Sequence, residues 1–376
     1  MPYPPPPRPL AVVIAGGGTG GHLYPGIAVA REIVRRAPDA RVTFAGTARG
    51  LEARVVPREG FELDLIRSAG LKGKAIASRL RGLAVLPVSF FDAWRLLSRR
   101  RPRVVIGVGG YSSGPVVLSA ALRGMPTMVL EQNAQPGFTN RALARWVKAA
   151  AVTYQETLHH FGNKGFVAGN PVRAEFFATG RSEDRPLHAP RLLVLGGSQG
   201  AHAINVAVTA AAPQLRREHP GLEIVHQTGE RDLAWARDQY RQSAVPARVE
   251  AFLDPVAGEM HAADVAVSRA GATTLAELEA SGTPAVLVPF PAATDDHQRK
   301  NAEVLVRGGA AALVNQADLS GDRLAAEVGA LLADRGRLAA MRTAMRGFAQ
   351  PGAAERIVDR VLALAGPAFA PATGGR

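Results

Sequence analysis

Short apolar runs recur along the chain, each closed by glycine and followed by apolar residues at helical spacing. The run at 10–15 is the first. The glycines of 16–21 end it, and 26–36 keeps the helical period. Residues 41–45 and 61–66 read as further strands, and 104–108 as a buried one entering the loop 109–114. Residues 116–122 are then helical, Gly124 and Pro126 stop them, and 127–130 is a strand. Strands alternating with helices predict an α/β fold, a parallel sheet covered on both faces.

The second half repeats this grammar. Arg191–Leu195 runs into Gly196-Gly197-Ser198-Gln199-Gly200 and a helix over 203–215. A second echo pairs Gly124-Met125-Pro126 with Gly282-Thr283-Pro284: in each a glycine-bearing loop starts a helix, Gly-x-Pro ends it, and a strand follows. At 376 residues the chain exceeds the roughly 250–300 that one core supports, so two doubly wound domains are expected. The turn Gly169-Asn170-Pro171 marks the seam, giving domains of 1–167 and 168–350. A break at Gln350-Pro351-Gly352 frees a last helix within 351–366.

Composition narrows the chemistry. There is no cysteine, which excludes disulfides, thiolate metal sites and a cysteine nucleophile. The amino terminus lacks the basic region, apolar stretch and cleavage site of a leader, so a cytoplasmic protein is expected. The net charge of +13 suggests an anionic partner, and its location is informative. Between Arg67 and Arg103 ten basic residues stand against Asp92 alone, interleaved with Leu80, Leu86, Phe90, Phe91 and Trp94. This suits either an interfacial surface on anionic lipid or an amphipathic core helix with a solvated cationic face. Nucleic acid is disfavoured, because no recognition motif appears.

Residues 16–21 satisfy G-x-G-x-x-G after a strand, the pattern that lets backbone approach a diphosphate at a helix start. The second strand lacks the acidic residue that would hold a nicotinamide cofactor's ribose, so no such cofactor is expected. His22 directly follows, at a helix start that favours neutral, proton-accepting imidazole, and reads as a general base or a structural histidine. The loops at 109–114, 196–200 and 269–274 share the phosphate-cradling character. Glu277 can take ribose hydroxyls or complement the helix dipole. Asp295-Asp296-His297-Gln298 suits sugar hydroxyls, a solvated loop or a metal.

From about Val12 to Leu364 the chain resembles the MurG family of peripheral-membrane glycosyltransferases. The resemblance is carried by Gly17-Gly18-Thr19-Gly20-Gly21-His22, Gly109-Gly110-Tyr111-Ser112-Ser113-Gly114-Pro115, Glu131-Gln132-Asn133 and Gly169-Asn170-Pro171-Val172-Arg173. Gly196-Gly197-Ser198-Gln199-Gly200-Ala201, Ser268-Arg269-Ala270-Gly271-Ala272 through Glu277, and Asp296-His297-Gln298 continue it.

The resemblance implies the GT-B fold, two Rossmann-like domains facing a cleft, with the last helix returned to the first. It implies inverting transfer of N-acetylglucosamine from UDP-GlcNAc to undecaprenyl-diphospho-MurNAc-pentapeptide (lipid I), giving lipid II, at the cytoplasmic face of the plasma membrane. No cofactor and no metal are expected. Cell-wall synthesis and division proteins are the implied protein partners. On the donor side it implies Arg173 and Leu253 near the uracil and Glu277 near the ribose. Ser198 and the helix start Ala272, Thr273 and Thr274 would serve the diphosphate, Leu275 and Ala276 would also be substrate-binding, and Gln298 would take the sugar. On the acceptor side it implies Thr19, Gly20, Gly21, Tyr111, Ser112 and Ser113 for the lipid diphosphate, with Asn133 nearby and His22 as base. Met260 and Val256 stand where the family usually has an aromatic and a methionine, so the uracil-side loop departs from the pattern. A UDP-GlcNAc 2-epimerase and a diacylglycerol glycosyltransferase share the fold and are the alternatives.

Overall fold

The computed structural model describes residues 9–68, 76–178, 189–196 and 201–369, with the backbone alone at 76–84. The chain divides into two compact units, Met1–Pro171 with Gly352–Arg376, and Val172–Pro351. The first runs β1 (Ala11–Gly16), α1 (Gly20–Arg36), β2 (Arg41–Gly46), α2 (Glu52–Arg58), β3 (Glu62–Leu65), α3 (Ile76–Arg100), β4 (Val104–Gly109), α4 (Ser113–Leu122), β5 (Thr127–Glu131), α5 (Phe138–Leu143), β6 (Ala149–Val152) and β7 (Gly165–Val167). Among the described residues these strands form one parallel sheet in the order β3-β2-β1-β4-β5-β6-β7.

The second unit repeats the order. It runs β8 (Arg191–Leu195), α6 (His202–Glu218), β9 (Glu223–Gln227), α7 (Leu233–Gln242), β10 (Arg248–Glu250), α8 (Val256–Ala262), β11 (Val265–Ser268), α9 (Ala272–Ser281), β12 (Ala285–Leu287), α10 (His297–Arg307), β13 (Ala311–Leu313), α11 (Gly321–Ala333) and α12 (Arg335–Phe348). Its parallel sheet reads β10-β9-β8-β11-β12-β13. α13 (Ala353–Ala365) belongs to the first unit.

The period of two in a strand sends alternate residues to opposite faces. Val12 and Ile14 pack with Leu23, Ile27 and Ile33 of α1 and with Ile357, Val358 and Val361 of α13. Val13 and Ala15 pack on the other face with Leu96, Leu97, Val116 and Val117. β8 does the same, with Leu192 and Val194 toward Ile204, Val208 and Val328, and Leu193 and Leu195 toward Leu275, Leu278 and Met345. α13 is also tied by the Arg36–Asp359 ion pair and by Arg356 Nη2, which donates to the Ala168 carbonyl at 2.7 Å.

The Gly-x-Pro echo has a geometric cause. Gly124 and Gly282 have φ of +72° and +68°, the left-handed turn that closes a helix at little steric cost to glycine. The residue after each donates back into the helix, Met125 to Ala120 and Thr283 to Leu278, both at 3.0 Å. Two boundaries differ from the sequence expectation. α1 begins at Gly20, two residues before the helix start read at His22, and runs through the periodic stretch 26–36, since Pro25 near its amino end deprives only the Gly21 carbonyl of a donor. The first unit extends to Pro171 because the Ala168 and Gly169 N–H groups both reach the Val152 carbonyl, at 2.9 and 3.2 Å, and hold the chain on the first sheet.

Candidate active site

Each sheet reverses its strand order once, between β1 and β4 and between β8 and β11. Loops at the carboxyl ends of such strands diverge and leave a crevice, where open parallel sheets take their ligands. After β1 the backbone passes Gly16, Gly17 and Gly18 with φ of +142°, +146° and +87°. A Cβ on Gly16 would lie 2.3 Å from the Gly109 carbonyl oxygen, and one on Gly110 2.6 Å from that of Gly17. The two loops interlock backbone to backbone, with the Gly17 N–H donating to the Gly109 carbonyl at 3.3 Å.

The Gly18 N–H also turns inward, onto Glu52 Oε2 at 2.7 Å. The amides at 17 and 18 therefore serve the fold. The helix start is what remains. The N–H groups of Gly20 and Gly21 have no acceptor among the described residues, and Thr19 is exposed beside them. The same holds for the Ser113 and Gly114 N–H groups at the start of α4. The Ser112 and Ser113 side chains are buried, and a Cβ on Gly107 would lie 2.5 Å from Ser113 Oγ. That loop therefore offers backbone amides, while the Ser112 and Ser113 side chains are turned into the unit. Tyr111 is exposed, and its carbonyl accepts from Ser68 Oγ at 3.1 Å.

His22 lies in the first turn of α1, its Nδ1 3.3 Å from Gln132 Oε1. Its ring lies close against Gly109, where a Cβ would come within 2.8 Å of Nδ1. Asn133, expected at the substrate, is buried, and its backbone and side-chain nitrogens both donate to Glu131 Oε1, at 3.0 and 3.1 Å. Glu131 Oε2 accepts from Gly137 N–H and Asn140 Nδ2, at 3.1 and 2.9 Å. Glu52 likewise accepts from the Thr47 N–H and hydroxyl, at 2.8 and 2.9 Å. These two buried carboxylates organise the loops of the first unit. Sequence reasoning assigned neither a role, although an acid among glycines and small polar residues is a usable signal.

In the second unit, among the described residues, the N–H groups of Thr273 and Thr274 at the start of α9 have no acceptor and the buried Thr273 hydroxyl has no hydrogen-bond partner. Leu275 and Ala276, expected at the substrate, have buried side chains; Leu275 is a core residue and donates its N–H to the Gly271 carbonyl at 2.9 Å. The Ala272 side chain is buried as well. Ser198, with Gly197, Gln199 and Gly200, lies outside the described residues.

Glu277 is one turn further along α9. Burial raises its carboxyl to about 7, against the pull of Arg173 and with a further push from Glu175. Arg173 pairs with Glu175 at 3.1 Å and lies over the Phe176 ring. Leu253 is half-buried beside the exposed Phe252. Gln298 Oε1 accepts from the Phe290 N–H at 2.9 Å, which leaves its amide nitrogen for a ligand. Asp296 is paired with Arg299, and among the described residues no group of three or more metal-ligating side chains is assembled.

Arg269 was quoted in a motif without a role. Its guanidinium donates to the Val288 and Pro289 carbonyls, at 3.0 and 3.3 Å, and to Gln316 Oε1 at 2.7 Å. Burial lowers its pKa, and it makes no ion pair among the described residues. A cation held by neutral partners leaves charge for an anion to meet.

The basic segment is largely the long helix α3, with Ala93, Leu96 and Leu97 in the core. Its charge is lower than the sequence count. Arg99 and Arg100 pair with Asp64 at 2.5 and 2.7 Å, Arg100 also with Glu62, and Arg67 with Asp92 at 2.6 Å. Against the burial that pushes it up, Arg100 and Arg99 hold the Asp64 carboxyl below its ordinary value. Lys72 and Lys74, and the side chains of Arg79 and Arg81, lie outside the described residues. Among the residues α3 exposes are Phe91, Trp94 and Arg95, with Leu122 exposed on α4 and the Arg123 guanidinium 4.7 Å over the Trp94 ring. No described helix is long and apolar enough to cross a membrane.

Two Rossmann-like units, each with helix-start amides that have no acceptor among the described residues beside the switch point, fit a protein of the nucleotide-sugar-dependent glycosyltransferase class. Residues 12–152 match the glycosyltransferase family 28 N-terminal domain and residues 191–357 its C-terminal domain. A relative from Anaeromyxobacter sp. (strain K), 48% identical over 93% of this chain and 92% of its own, is named UDP-N-acetylglucosamine–N-acetylmuramyl-(pentapeptide) pyrophosphoryl-undecaprenol N-acetylglucosamine transferase. The Acinetobacter baumannii MurG crystal structure superposes with a TM-score of 0.78 at 30% identity, covering 94% of this chain and 99% of that one. The chain belongs to glycosyltransferase family 28, and within it to the MurG family its motifs resemble. A putative UDP-N-acetylglucosamine 2-epimerase from Listeria monocytogenes, at 12% identity and a TM-score of 0.65 over 93% of this chain and 95% of its own, shares the fold alone.

Proposed function

We propose that this chain transfers N-acetylglucosamine from UDP-GlcNAc to the 4-hydroxyl of MurNAc in lipid I, with inversion, giving lipid II. The observation that carries the reading is the helix start after β1, where two amides without an acceptor adjoin an imidazole. The name carried by a relative matching nearly the whole chain supports the same reaction.

The chemistry needs few parts. One in-line displacement at the anomeric carbon requires a base on the attacking hydroxyl and stabilisation of the departing UDP. His22 is the base. The α9 start, through the Thr273 and Thr274 amides and the Thr273 hydroxyl, meets the charge growing on the leaving diphosphate, the group to which the resemblance also assigns Ser198. Arg269 adds positive charge to that unit. Glu277 accepts ribose hydroxyls, Arg173 and Leu253 border the uracil, and the Gln298 amide nitrogen binds the sugar. In the first unit the amides of Gly20, Gly21, Ser113 and Gly114 hold the acceptor diphosphate, with Thr19 and Tyr111 at its edge.

The acceptor's lipid tail stays in a bilayer, so the first unit must work at its surface. Phe91, Trp94 and Leu122 insert at the interface while Arg95 and Arg123 meet anionic headgroups at the cytoplasmic face.

The test is incubation of the pure protein with labelled UDP-GlcNAc and a short-chain lipid I analogue, with and without EDTA. A β-1,4-linked disaccharide product is expected; release of UDP with free ManNAc and no coupled product would overturn the reading. His22→Ala should keep UDP-GlcNAc binding and lower turnover by roughly 10²–10⁴-fold, the usual loss with a general base. Near-normal turnover removes His22 from that role.

A further inference from the structure

A general base needs a lone pair on the correct nitrogen, and the residues around His22 decide which one has it. Gln132 follows β5 and is almost wholly buried. Its Nε2 lies 3.4 Å from the Val108 carbonyl oxygen and its Oε1 3.3 Å from His22 Nδ1. A backbone carbonyl only accepts, so the amide nitrogen must face Val108, and the amide oxygen must then face the imidazole. An oxygen acceptor at Nδ1 calls for a proton there, which puts the lone pair of the neutral ring on Nε2.

The backbone enforces the same arrangement. Gly109 has φ of +98° and lies against the ring, where a Cβ would come within 2.8 Å of Nδ1. Any side chain at 109 would push the imidazole off Gln132. The two buried carboxylates nearest in sequence to these loops are committed elsewhere, Glu52 to Gly18 and Thr47 and Glu131 to Asn133, Gly137 and Asn140. A neutral amide at Nδ1 orients the ring without the negative charge that would favour imidazolium over base.

We propose that Gln132 is a positioning residue that holds His22 as the Nδ1–H tautomer, so that Nε2 takes the acceptor hydroxyl's proton. The inference rests on the base role given to His22 above. In the step, Nε2 receives the proton as the hydroxyl oxygen bonds to the anomeric carbon. The carbon–oxygen bond to the diphosphate breaks, and its electron pair leaves with UDP.

The test reads the tautomer directly, by long-range proton–nitrogen NMR of the full chain labelled with ¹⁵N-histidine, His22 being assigned by the signals lost in His22→Asn. Neutral His22 should carry its proton on Nδ1, and Gln132→Met should mix or invert the tautomers. In that variant kcat should fall about tenfold, less than the ~10²–10⁴-fold lost with the imidazole itself, at unchanged KM for UDP-GlcNAc. A loss that appears in KM, or an unchanged kcat, overturns the proposal. So does a wild-type proton on Nε2, and that spectrum decides whether or not the variant folds. A normal rate in His22→Ala with Nδ1–H in the wild type would instead refute the base role and leave the tautomer assignment standing.

Discussion

Glu277→Gln separates the two roles a buried carboxyl can have, stabilising the fold and holding a ligand. Burial moves this group from 4.5 to about 7. The unfolded carboxyl therefore ionises near 4.5 and the folded one near 7, so the folded state binds more protons between these values and loses stability as the pH rises through them. At ~1.36 kcal/mol per unit the accumulated penalty reaches about 3 kcal/mol by pH 8 and is about 1 kcal/mol at pH 5. The Gln variant has no such penalty. Hydrogen exchange of the core amides of β8 and β11 should show it more stable than wild type at pH 8 by up to about 3 kcal/mol, with most of the gain gone at pH 5. In the proposed ribose role the carboxylate is the form that accepts both hydroxyls. Affinity for UDP-GlcNAc, whose diphosphate has no proton titrating near neutrality, should rise across pH 7 in wild type and be weak and flat in Glu277→Gln. An equal stability change at both pH values would refute the burial argument, and a wild-type affinity flat across pH 7 would refute the ribose role.

Three further outcomes follow from the first unit. Glu52→Gln places an NH₂ against the donors of Gly18 or Thr47 and should destabilise that unit by about 1–3 kcal/mol, read as a lowered denaturation midpoint with UDP-GlcNAc binding unchanged. Gly109→Ala, at φ of +98°, should cost about 1–2 kcal/mol in backbone strain and lower kcat as well, because the new methyl displaces His22; a full kcat would show that the imidazole does not depend on this contact. Phe91→Ser with Trp94→Ser should reduce cosedimentation with anionic vesicles at an unchanged melting temperature, and unaltered cosedimentation would dismiss α3 as the membrane contact.

The fold was legible because its signals are local. Glycine at φ values barred to other residues, Gly-x-Pro at helix ends and alternating apolar strands all appear in a few consecutive residues. The doubled grammar of the chain therefore predicts the doubled sheet order. The partners of charged side chains are not local. Residues 67–103 count one acid, yet Glu62 and Asp64 on β3 take Arg99 and Arg100, since β3 and the end of α3 lie side by side. Replacing those arginines by glutamate would break ion pairs within the unit and say little about a membrane.

The site shows the same division more sharply. His22, Gly20, Gly21, Thr273 and Thr274 are visible in sequence because a helix start after a glycine turn leaves amides unbonded wherever it occurs. Which amides remain unbonded depends on buried groups that the pattern does not reveal. Glu52 takes the Gly18 amide and Gly109 takes that of Gly17, so the apparent phosphate loop shrinks to one helix end. Ser112, Ser113, Asn133 and Leu275 match the family motif and yet have their side chains buried, Asn133 bonded to Glu131 and Leu275 in the core. On the proposed function their part is to shape the backbone. Anion binding by main-chain amides follows from this, and its strength should depend more on the buried carboxylates that set the loops than on any hydroxyl facing the ligand.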